Sequence, residues 1–506
     1  MNNTERLVCV GIRGIIAISA VILTVVAACS GPAEKNGAFI AQGIMAGEVT
    51  QSGVILQSRL TATDGLKDGD VPGAAGTACF EVSTDSAFSH YLRTPSAHIN
   101  PQFDYIVKIA VTTLRPGTRY YYRLFYGAET DTVRHRSNVG TFRTLDAPGV
   151  ADTVKFAVVT GMNYSFFHHG RPDESSSAYK GTDRELGFPA LEAIQSLSPD
   201  FFIGTGDNVY YDHPIDTRAK TAAEMRRKWH EQFVQKRFRD LFATVPTYWE
   251  KDDHDYRYND ADTTDVAGVG KPPEPETPSH SLGRWIFAEQ MPVVYPGERD
   301  PKTFRTHRLN DLVQLWLVEG RDYRSPNAMP DGPGKSLWGT EQLEWLKRTL
   351  LESDAVFKVL VSPTPLVGPD DAYKTDNHTN PDGFRHEGEE FFRWLGENGF
   401  LGKNFYIICG DRHWQYHSVR PDGFEEFSCG ALVDANSRLG RNPGDPESTD
   451  PVARITQLYT QSEASGGFLM VTVAPGNGST PPAAAFTFRD EHGTVLYEAV
   501  KLAVMK

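Results

Sequence analysis

From about residue 153 onward the chain alternates short apolar runs with amphipathic stretches, and this alternation constrains the fold more than any other feature. The apolar runs, typical of buried strands, lie at residues 156–160, 201–204, 313–318, 357–361 and 405–409. Helical periodicity lies between them, at residues 188–197, 220–242, 340–351 and 388–398. Alternation of this kind predicts an α/β fold with helices layered on a sheet, here spanning residues 153–506. Within it, the Pro-rich residues 268–279 are predicted to form a surface loop or lid.

A different texture precedes this domain. Residues 38–146 contain short β-branched and aromatic runs at residues 54–56, 78–82, 105–109 and 120–124. Turn signals such as Arg115-Pro116-Gly117-Thr118 separate these runs. The turn and the strand after it resemble a fibronectin type III module, and a length of about 100 residues suits one β-sandwich. We therefore predict a fibronectin III-like β-sandwich domain over residues 38–146.

The first 29 residues have the pattern of an export signal. Arg6 and Arg13 flank the start of an apolar run over residues 14–28, which is short for a membrane span. The small residues Val26-Ala27-Ala28 stand directly before Cys29 and resemble a bacterial lipobox. We predict a signal peptide with a lipobox at residues 1–29 and a lipid anchor on Cys29. The expected location is the bacterial envelope, on its periplasmic or surface side; ordinary cleavage, giving a secreted or periplasmic protein, is the alternative.

Composition excludes some classes of partner and site. The formal net charge of −14 disfavours nucleic-acid binding, because an acidic chain gains nothing from counterion release. The chain has five cysteines, and three of them, Cys79, Cys409 and Cys429, lie outside the predicted signal peptide. So sparse a set argues against a disulfide framework, although a Cys409–Cys429 pair stays open, and no zinc-finger spacing occurs.

Acidic residues and histidines directly follow two of these apolar runs, residues 201–204 and 405–409, and a further short run at residues 246–249. They stand in Gly206-Asp207-Asn208-Val209-Tyr210, in Asp252-Asp253-His254-Asp255 and in Gly410-Asp411-Arg412-His413. Ligands of layered α/β folds bind at the carboxyl ends of strands, so three such ends favour one shared metal site over three helix caps. Oxygen and imidazole ligands suit Ca²⁺, Mn²⁺, iron or Zn²⁺. Metal-bound hydroxide would then attack phosphorus without a protein nucleophile, and no Gly-x-Ser-x-Gly, P-loop or His-Glu-x-x-His motif is present.

These motifs resemble those of the PhoD-like (alkaline phosphatase D) metallophosphoesterase family. Gly206-Asp207-Asn208-Val209-Tyr210 is similar to the family's Gly-Asp-x-x-Tyr, Asp252-Asp253-His254-Asp255 to its Asp-Asp-His-Glu, and Gly410-Asp411-Arg412-His413 to its Gly-Asp-Val-His. The resemblance extends from about residue 39 to the C-terminus and implies a four-layer metallophosphoesterase sandwich behind the fibronectin-like domain. It also implies hydrolysis of phosphomonoesters or phosphodiesters with Fe³⁺ and Ca²⁺.

The resemblance also implies roles for individual residues. Asp207 would bridge two metals, and Tyr210 would bind Fe³⁺ as a phenolate. The metal shell would be completed, or the substrate held, by Asp253, His254, Asp411 and His413. Asp207, His254 and His413 would then form the catalytic centre. Apart from the family, Arg321 follows a predicted strand and is a candidate phosphate clamp, with a structural ion pair as the alternative.

One position departs from the family pattern. Family members carry a cysteine ligand at the end of the first strand of the α/β domain, where this chain has Gly161. Glycine has no side chain to bind a metal, so Asn163, His168, His169 or a water would have to fill the gap. Further candidates for substrate or metal contact are Asn208, Asp376, Asn377 and His378, for which ordinary turn chemistry is the alternative.

The sequence therefore predicts an exported, metal-dependent hydrolase of phosphoric esters. A phosphodiesterase or phospholipase that acts on envelope phosphodiesters is the rival among enzymes. A degenerate surface lipoprotein that binds phosphoesters without hydrolysing them is the rival outside enzymes, and the glycine at position 161 is the feature that favours it.

Overall fold

Two β-sheets lie face to face at the centre of the fold, and helices cover the outer face of each. The computed structural model describes residues 37–129, 134–265, 276–296, 298 and 301–504. The predicted signal peptide with Cys29 lies outside these residues, as do residues 268–275 of the predicted Pro-rich loop. No helix within the described ranges has the length and apolarity that crossing a membrane requires.

Strands and helices alternate through the second part of the chain, as predicted. The strands are β1 Ile44–Gly47, β2 Val54–Arg59, β3 Gly76–Ser83, β4 Leu92–Arg93, β5 Ala97–Ile99, β6 Ile106–Val111, β7 Arg119–Ala128, β8 His135–Arg136, β9 Gly140–Arg143, β10 Val154–Val159, β11 Phe201–Thr205, β12 Thr247–Glu250, β13 Arg305–Arg308, β14 Val313–Leu317, β15 Phe357–Ser362, β16 Phe405–Cys409, β17 Gln415–Val419, β18 Glu425–Cys429, β19 Thr456–Thr460, β20 Gly467–Ala474, β21 Ala483–Asp490 and β22 Val495–Leu502. The helices are α1 Tyr164–His169, α2 Pro189–Leu197, α3 Ala222–Phe233, α4 Lys236–Thr244, α5 Asp253–Tyr256, α6 His280–Gln290, α7 Gly339–Glu352 and α8 Arg385–Glu397. The five predicted buried strands correspond to β10, β11, β14, β15 and β16.

The carboxyl ends of the parallel strands meet between the two sheets. One sheet has nine strands in the order β22-β21-β20-β10-β11-β12-β1-β2-β6, and β10, β11 and β12 are parallel in it. The other has seven strands in the order β13-β14-β15-β16-β18-β17-β19, and β14, β15 and β16 are parallel. Thr205 at the end of β11 donates to the carbonyl oxygen of Ser362 at the end of β15 over 3.2 Å. Residues that follow these strands are therefore brought together at one junction.

Successive side chains of a strand point to opposite faces of its sheet, and this period divides the interior into layers. Val158 of β10 belongs to the core between the two sheets, whereas Val159 belongs to the core under α2, α3, α4 and α6. A third core, with Trp316, Leu346 and Phe391, lies between the seven-stranded sheet and helices α7 and α8. The order of layers is helix, sheet, sheet, helix, so the predicted four-layer sandwich is confirmed.

The front region shares a sheet with the α/β region. One layer of its β-sandwich is the sheet β4-β3-β7-β8, with β5 and β9 paired to β3 and β7. The other layer, β1, β2 and β6, continues the nine-stranded sheet, because Gly47 of β1 pairs in parallel with Thr247 of β12. Tyr248 of β12 also donates to the carbonyl oxygen of Val49 over 2.8 Å. The domain boundaries at residues 38–146 and 153–506 stay a prediction.

The single helix predicted over residues 220–242 is wrong, because two helices, α3 and α4, replace it. Gln235 stands between them in an extended conformation, with ψ of 139°. Its side-chain amide donates to the carbonyl oxygen of Gln232, in the last turn of α3, over 3.0 Å. Neither glycine nor proline marks this break, so the apolar periodicity gave no sign of it.

The open question of a disulfide also has a definite outcome. The described cysteines Cys79, Cys409 and Cys429 are buried free thiols, so no disulfide joins Cys409 to Cys429. The last three strands, β20, β21 and β22, pair antiparallel in succession.

Candidate metal centre

Residues that follow β11, β12 and β16 lie close together at the junction of the sheets. Asp207 follows β11, Asp253 and His254 begin α5 after β12, and Asp411 follows β16. One ligand atom from each of Asp207, Asp253 and His254 lies within 4.8 Å of the other two. The same spacing relates Asp252, Asp253 and Asp411. Four carboxylates and one imidazole therefore share one buried volume, which we call the acidic cluster.

Both Gly-Asp steps are required by close approach of neighbouring segments. A Cβ atom on Gly206 would lie 2.5 Å from the Cβ of Asp252, and one on Gly410 would lie 2.6 Å from a carbonyl oxygen of β11. Any side chain at these positions would collide with its neighbours. Asp207 and Asp411 follow with φ of +55° and +57°, in the left-handed region that aspartate tolerates better than most residues. Each step thus brings a carboxylate to the junction.

Several oxygens of this region are buried and accept no hydrogen bond from the residues that the structure describes. They are Asp207 Oδ1, Asp252 Oδ2 and Asp376 Oδ1. A buried polar atom without a partner costs about 1–3 kcal/mol, and a charged one costs more. A cation bound among these oxygens would satisfy them. A donor set of carboxylates with one or two imidazoles suits a hard cation, so the residues fit a metal centre.

The electrostatics of the acidic cluster also favour a bound cation. Burial, together with the charges of Asp253 and Asp252, raises the pKa of Asp207 well above its usual range. Burial by itself would lower the pKa of His254, but the charges of Asp212 and Asp253 raise it well above the usual value. Crowded, desolvated carboxylates repel one another, and a bound cation would remove that repulsion.

Tyr210 contacts Asp207 directly. Its hydroxyl donates to Asp207 Oδ2 over 2.8 Å and lies 3.2 Å from His413 Nε2. His413 Nε2 is in turn 3.1 Å from the same carboxylate oxygen. Burial, followed by the charge of Asp207, raises the pKa of Tyr210 well above its usual value. A phenolate at this position would therefore require a highly charged cation beside it.

Asn436 fills the space next to Gly161. Its Nδ2 donates to Tyr210 Oη over 2.8 Å and to the carbonyl oxygen of Gly161 over 3.1 Å. A Cβ atom on Gly161 would lie 3.2 Å from that nitrogen and 2.9 Å from the Cβ of Ala431. A side chain at position 161 would therefore displace Asn436 or Ala431. No sequence pattern marks Asn436, because it lies in a short 3₁₀ turn, Asp434–Asn436, far along the chain.

Arg321 contacts the acidic cluster from the protein interior and does not line the cleft. It is entirely buried, its Nε donates to Asp252 Oδ1 over 2.5 Å, and its Nη2 donates to Asp376 Oδ2 over 3.0 Å. The same Nη2 is 3.9 Å from Asp253 Oδ1. Because carboxylates already engage its donors, the geometry favours a structural ion pair over a phosphate clamp. Asp376 itself lies within 4.8 Å of Asp253 and Asp260, counted between ligand atoms.

Asn163 and Asn208 support the segments around the cluster. Asn163 is the N-cap of α1, and its Nδ2 lies 2.8 Å from His213 Nδ1. Asn208 Nδ2 donates to Asp255 Oδ2 over 2.5 Å and so ties the turn after β11 to α5. His168, which was a candidate to replace the missing thiolate, lies 3.3 Å from the side chain of Gln235.

Asn377 and His378 make contacts typical of turn and packing residues. Asn377 Nδ2 donates to Asp370 Oδ2 over 2.7 Å. His378 Nε2 lies 2.9 Å from Glu387 Oε1, and its ring packs against Trp338 with the ring centroids 4.5 Å apart. Their geometry favours the turn alternative over contact with a substrate.

Asp212 contacts His254, although no sequence pattern singled it out. Its Oδ1 lies 2.7 Å from His254 Nδ1, and its Oδ2 accepts from the backbone N–H of Asn259 over 2.9 Å. A carboxylate that binds one ring nitrogen of a metal-ligating histidine fixes the orientation and tautomer of the ring. Its position two residues after the end of the Gly206–Tyr210 motif was the signal available in the sequence.

A cleft of about 430 Å³ opens onto the centre. It is lined by Tyr210, His254, Asp411 and His413, and also by the cationic residues Arg171, Arg218, Lys374, Arg412 and Arg438. Its volume is that of a site for a small molecule, and its cations suit an anionic one. Of these cations only Arg412 belongs to a sequence motif; the others come from loops that no pattern marked.

Relatives of the chain are found both by sequence and by structure. The family model described as PhoD-like phosphatase matches residues 156–476, and that of the PhoD-like phosphatase N-terminal domain matches residues 26–146. Alkaline phosphatase D of Bacillus subtilis (strain 168) is 24% identical over 470 residues, covering 86% of this chain and 75% of that protein.

Two solved structures share the fold. A structure of PhoD matches with a TM-score of 0.69 and 20% identity, covering 92% of this chain and 89% of that one. Purple acid phosphatase PPD1 from yellow lupin seeds matches with a TM-score of 0.58 and 14% identity, covering 90% of this chain and 73% of that one. Together with the family match over most of the α/β region, these relatives show that the chain belongs to the PhoD-like phosphatase family and is a phosphoester hydrolase.

Proposed function

We propose that this hydrolase is a metal-dependent phosphatase of the alkaline phosphatase D type that acts on phosphomonoesters or phosphodiesters. The main support is the set of unpartnered carboxylate oxygens in and around the acidic cluster, together with a cleft that cations line and that His254 and Asp411 of the cluster reach. The proposed ligands are Asp207, Tyr210, Asp253, His254, Asp411 and His413. When bound, cations at such a site neutralise phosphoryl oxygens and lower the pKa of a water enough to provide hydroxide near neutral pH.

The chain's own residues contribute orientation and charge to this reaction. Asp212 engages His254 at Nδ1, which leaves Nε2 of that ring for the acidic cluster. Cations that line the cleft, among them Arg438, favour the negative charge that builds up on the phosphoryl oxygens in the transition state. The leaving oxygen needs a proton, and either His254 of the cluster or the neighbouring His413 can hold one if its Nε2 does not bind the metal.

Removal of metal is expected to abolish turnover. The purified protein should contain metal by elemental analysis and should hydrolyse an aryl phosphate monoester or diester. Dialysis against a chelator should lower the rate by at least about 10²-fold, and re-addition of the ion should restore it. The Tm should fall as well, because a ligand present at about 100 times its Kd stabilises the folded state by about 2.7 kcal/mol.

Other outcomes of this experiment identify the rival functions. A protein that carries no metal, and hydrolyses neither ester with any divalent or ferric supplement, would contradict the proposal and favour a binding protein. A diester hydrolysed much faster than the monoester would identify a phosphodiesterase.

We also propose that the protein is exported and anchored in the bacterial envelope by a lipid on Cys29. The support is the small-residue sequence Val26-Ala27-Ala28 directly before Cys29, after an apolar run. Replacing Cys29 with alanine is expected to move most of the protein from the membrane fraction to the soluble fraction, because several acyl chains anchor a protein firmly. Fractionation and fatty-acid labelling measure this, with Cys9→Ala as the matched control. Equal partition of the two variants would contradict the lipid anchor.

A further inference from the structure

Arg171 is held differently from neighbouring cations of the cleft. Arg412 pairs with Asp370 over 2.5 Å, and Arg438 pairs with Asp371 over 2.6 Å. Arg171 forms no ion pair with a carboxylate among the described residues and contacts backbone carbonyls instead. Its positive charge is therefore less neutralised by the protein than those of Arg412 and Arg438.

One turn and one aromatic ring fix the guanidinium of Arg171 in place. Its Nε donates to the carbonyl oxygen of Ala435 over 2.9 Å. Its Nη2 donates to the carbonyl oxygens of Asn436 and Ser437 over 3.0 and 3.1 Å. The ring of Phe166 lies on one side, with its centroid 5.3 Å from Cζ. Nη1 has no hydrogen-bond partner within the described ranges, so a donor group remains available on a side chain whose position is already set.

The electrostatics of Arg171 favour an anion beside it. Burial, assisted by the positive charge of Arg438, lowers the pKa of Arg171 in spite of Asp173. A partly buried cation that lacks a carboxylate partner is stabilised when an anion from solution binds next to it. Little conformational entropy would be lost on binding, because the guanidinium is held before the ligand arrives.

The turn that holds Arg171 also contacts the metal centre. The carbonyl oxygen of Asn436 accepts from Arg171, while its side chain donates to Tyr210 Oη, and Tyr210 in turn contacts Asp207. Asn436 therefore links the guanidinium of Arg171 to the metal centre. An anionic ligand at the metal centre would lie in the same cleft as this guanidinium.

We propose that Arg171 binds an anionic group of the phosphoester substrate and thereby determines specificity. This inference rests on the proposed function of the cleft. The anion has two sources, the reacting phosphoryl group or a second anionic group on the leaving portion. In either case the oxygens would accept from the guanidinium through charge-assisted hydrogen bonds.

The test uses the protein as purified with its metal, in the wild type and in the variants Arg171→Ala and Arg171→Gln. Calorimetry measures the Kd for inorganic phosphate. Steady-state kinetics measure KM and kcat for an aryl phosphate and for a carboxylated aryl phosphate. The matched control is Arg348→Ala, which changes an exposed arginine on α7 that pairs with Glu352. Metal content and Tm are measured in parallel and should not change.

Loss of a charge-assisted hydrogen bond is expected to weaken binding by about 10- to 100-fold. If Arg171 binds the reacting phosphoryl group, the Kd for phosphate and both KM values should rise while kcat changes less. If it binds the second anionic group, only the KM of the carboxylated substrate should rise. Unchanged Kd and KM values in both variants would overturn the inference. Absence of turnover in the wild type would instead refute the proposed function, and calorimetry would still test Arg171.

Discussion

Replacing Asp207 with alanine is expected to lower kcat/KM for an aryl phosphate by about 10³-fold or more. Asp207 is common to the acidic cluster, to Tyr210 and to His413, and one of its buried oxygens has no partner in the described chain. Its loss would remove a metal ligand and the contact that aligns two others. Metal ions contribute several kcal/mol to stabilising the transition state, and each 1.36 kcal/mol corresponds to a factor of ten in rate.

Two companion variants make this result interpretable. Asp207→Asn keeps a residue that tolerates the left-handed backbone, so it separates loss of the carboxylate from strain. Asp64→Ala changes an exposed aspartate of the front region and should leave the rate unaltered. Elemental analysis should find less metal in both Asp207 variants. Near-normal rates in them would show that the proposed ligand set is wrong.

The second large effect is expected on stability. Asp104 of the front region accepts from Arg59 Nη2 over 3.0 Å and from Gln290 Nε2 over 2.8 Å, and it lies 2.6 Å from His230 Nε2. It therefore joins β2 to α3 and α6. Asp104→Asn would leave a buried arginine without its counter-charge, which typically costs about 3–5 kcal/mol. The change is measured as a shift of the urea unfolding midpoint, with Asp64→Asn as control; a loss below about 1 kcal/mol would contradict this role.

The contribution of Asp104 should also depend on pH. Burial would raise the pKa of Asp104, but the hydrogen bond and charge of His230 and the charge of Arg59 lower it to about 2. The pKa of an aspartate in the unfolded chain is about 3.9. As the pH falls, the carboxylate is therefore protonated in the unfolded chain before it is protonated in the folded protein. The stabilisation is therefore complete above about pH 4 and is lost as the pH falls toward about 2. The difference in stability between the wild type and Asp104→Asn should shrink over that range.

Local patterns predicted much of the fold and the core of the candidate site. The apolar runs located the parallel strands because a buried strand must be apolar on both faces. The Gly-Asp steps located the acidic cluster because the need for glycine is local: Gly206 and Gly410 have no room for a Cβ atom. The sequence could not show whether Asn377 and His378 bind a ligand or stabilise a turn. Their side chains offer the same donor and acceptor atoms in either role.

Contacts between distant segments were beyond the reach of local patterns. Asn436 reaches Tyr210 across 226 residues, and Arg171 reaches Ser437 across 266, so neither spacing is recognisable in one sequence. The break between α3 and α4 was missed for a similar reason. It is stabilised by a side-chain bond of Gln235 and not by a residue that interrupts helices.

The pairing of β1 with β12 covers an edge of the nine-stranded sheet that would otherwise be open. Without residues 38–146, β12 would be the outermost strand of its sheet, and Thr247 would lose its pairing with Gly47. Open strand edges recruit other chains and seed aggregation. β12 leads into Asp252, Asp253 and His254, so this strand edge belongs to the same segment as the acidic cluster. We therefore expect a hydrolase domain that begins at residue 147 to aggregate through the open edge of β12, next to its metal centre. In the full chain the front strands cover this edge and disfavour such aggregation.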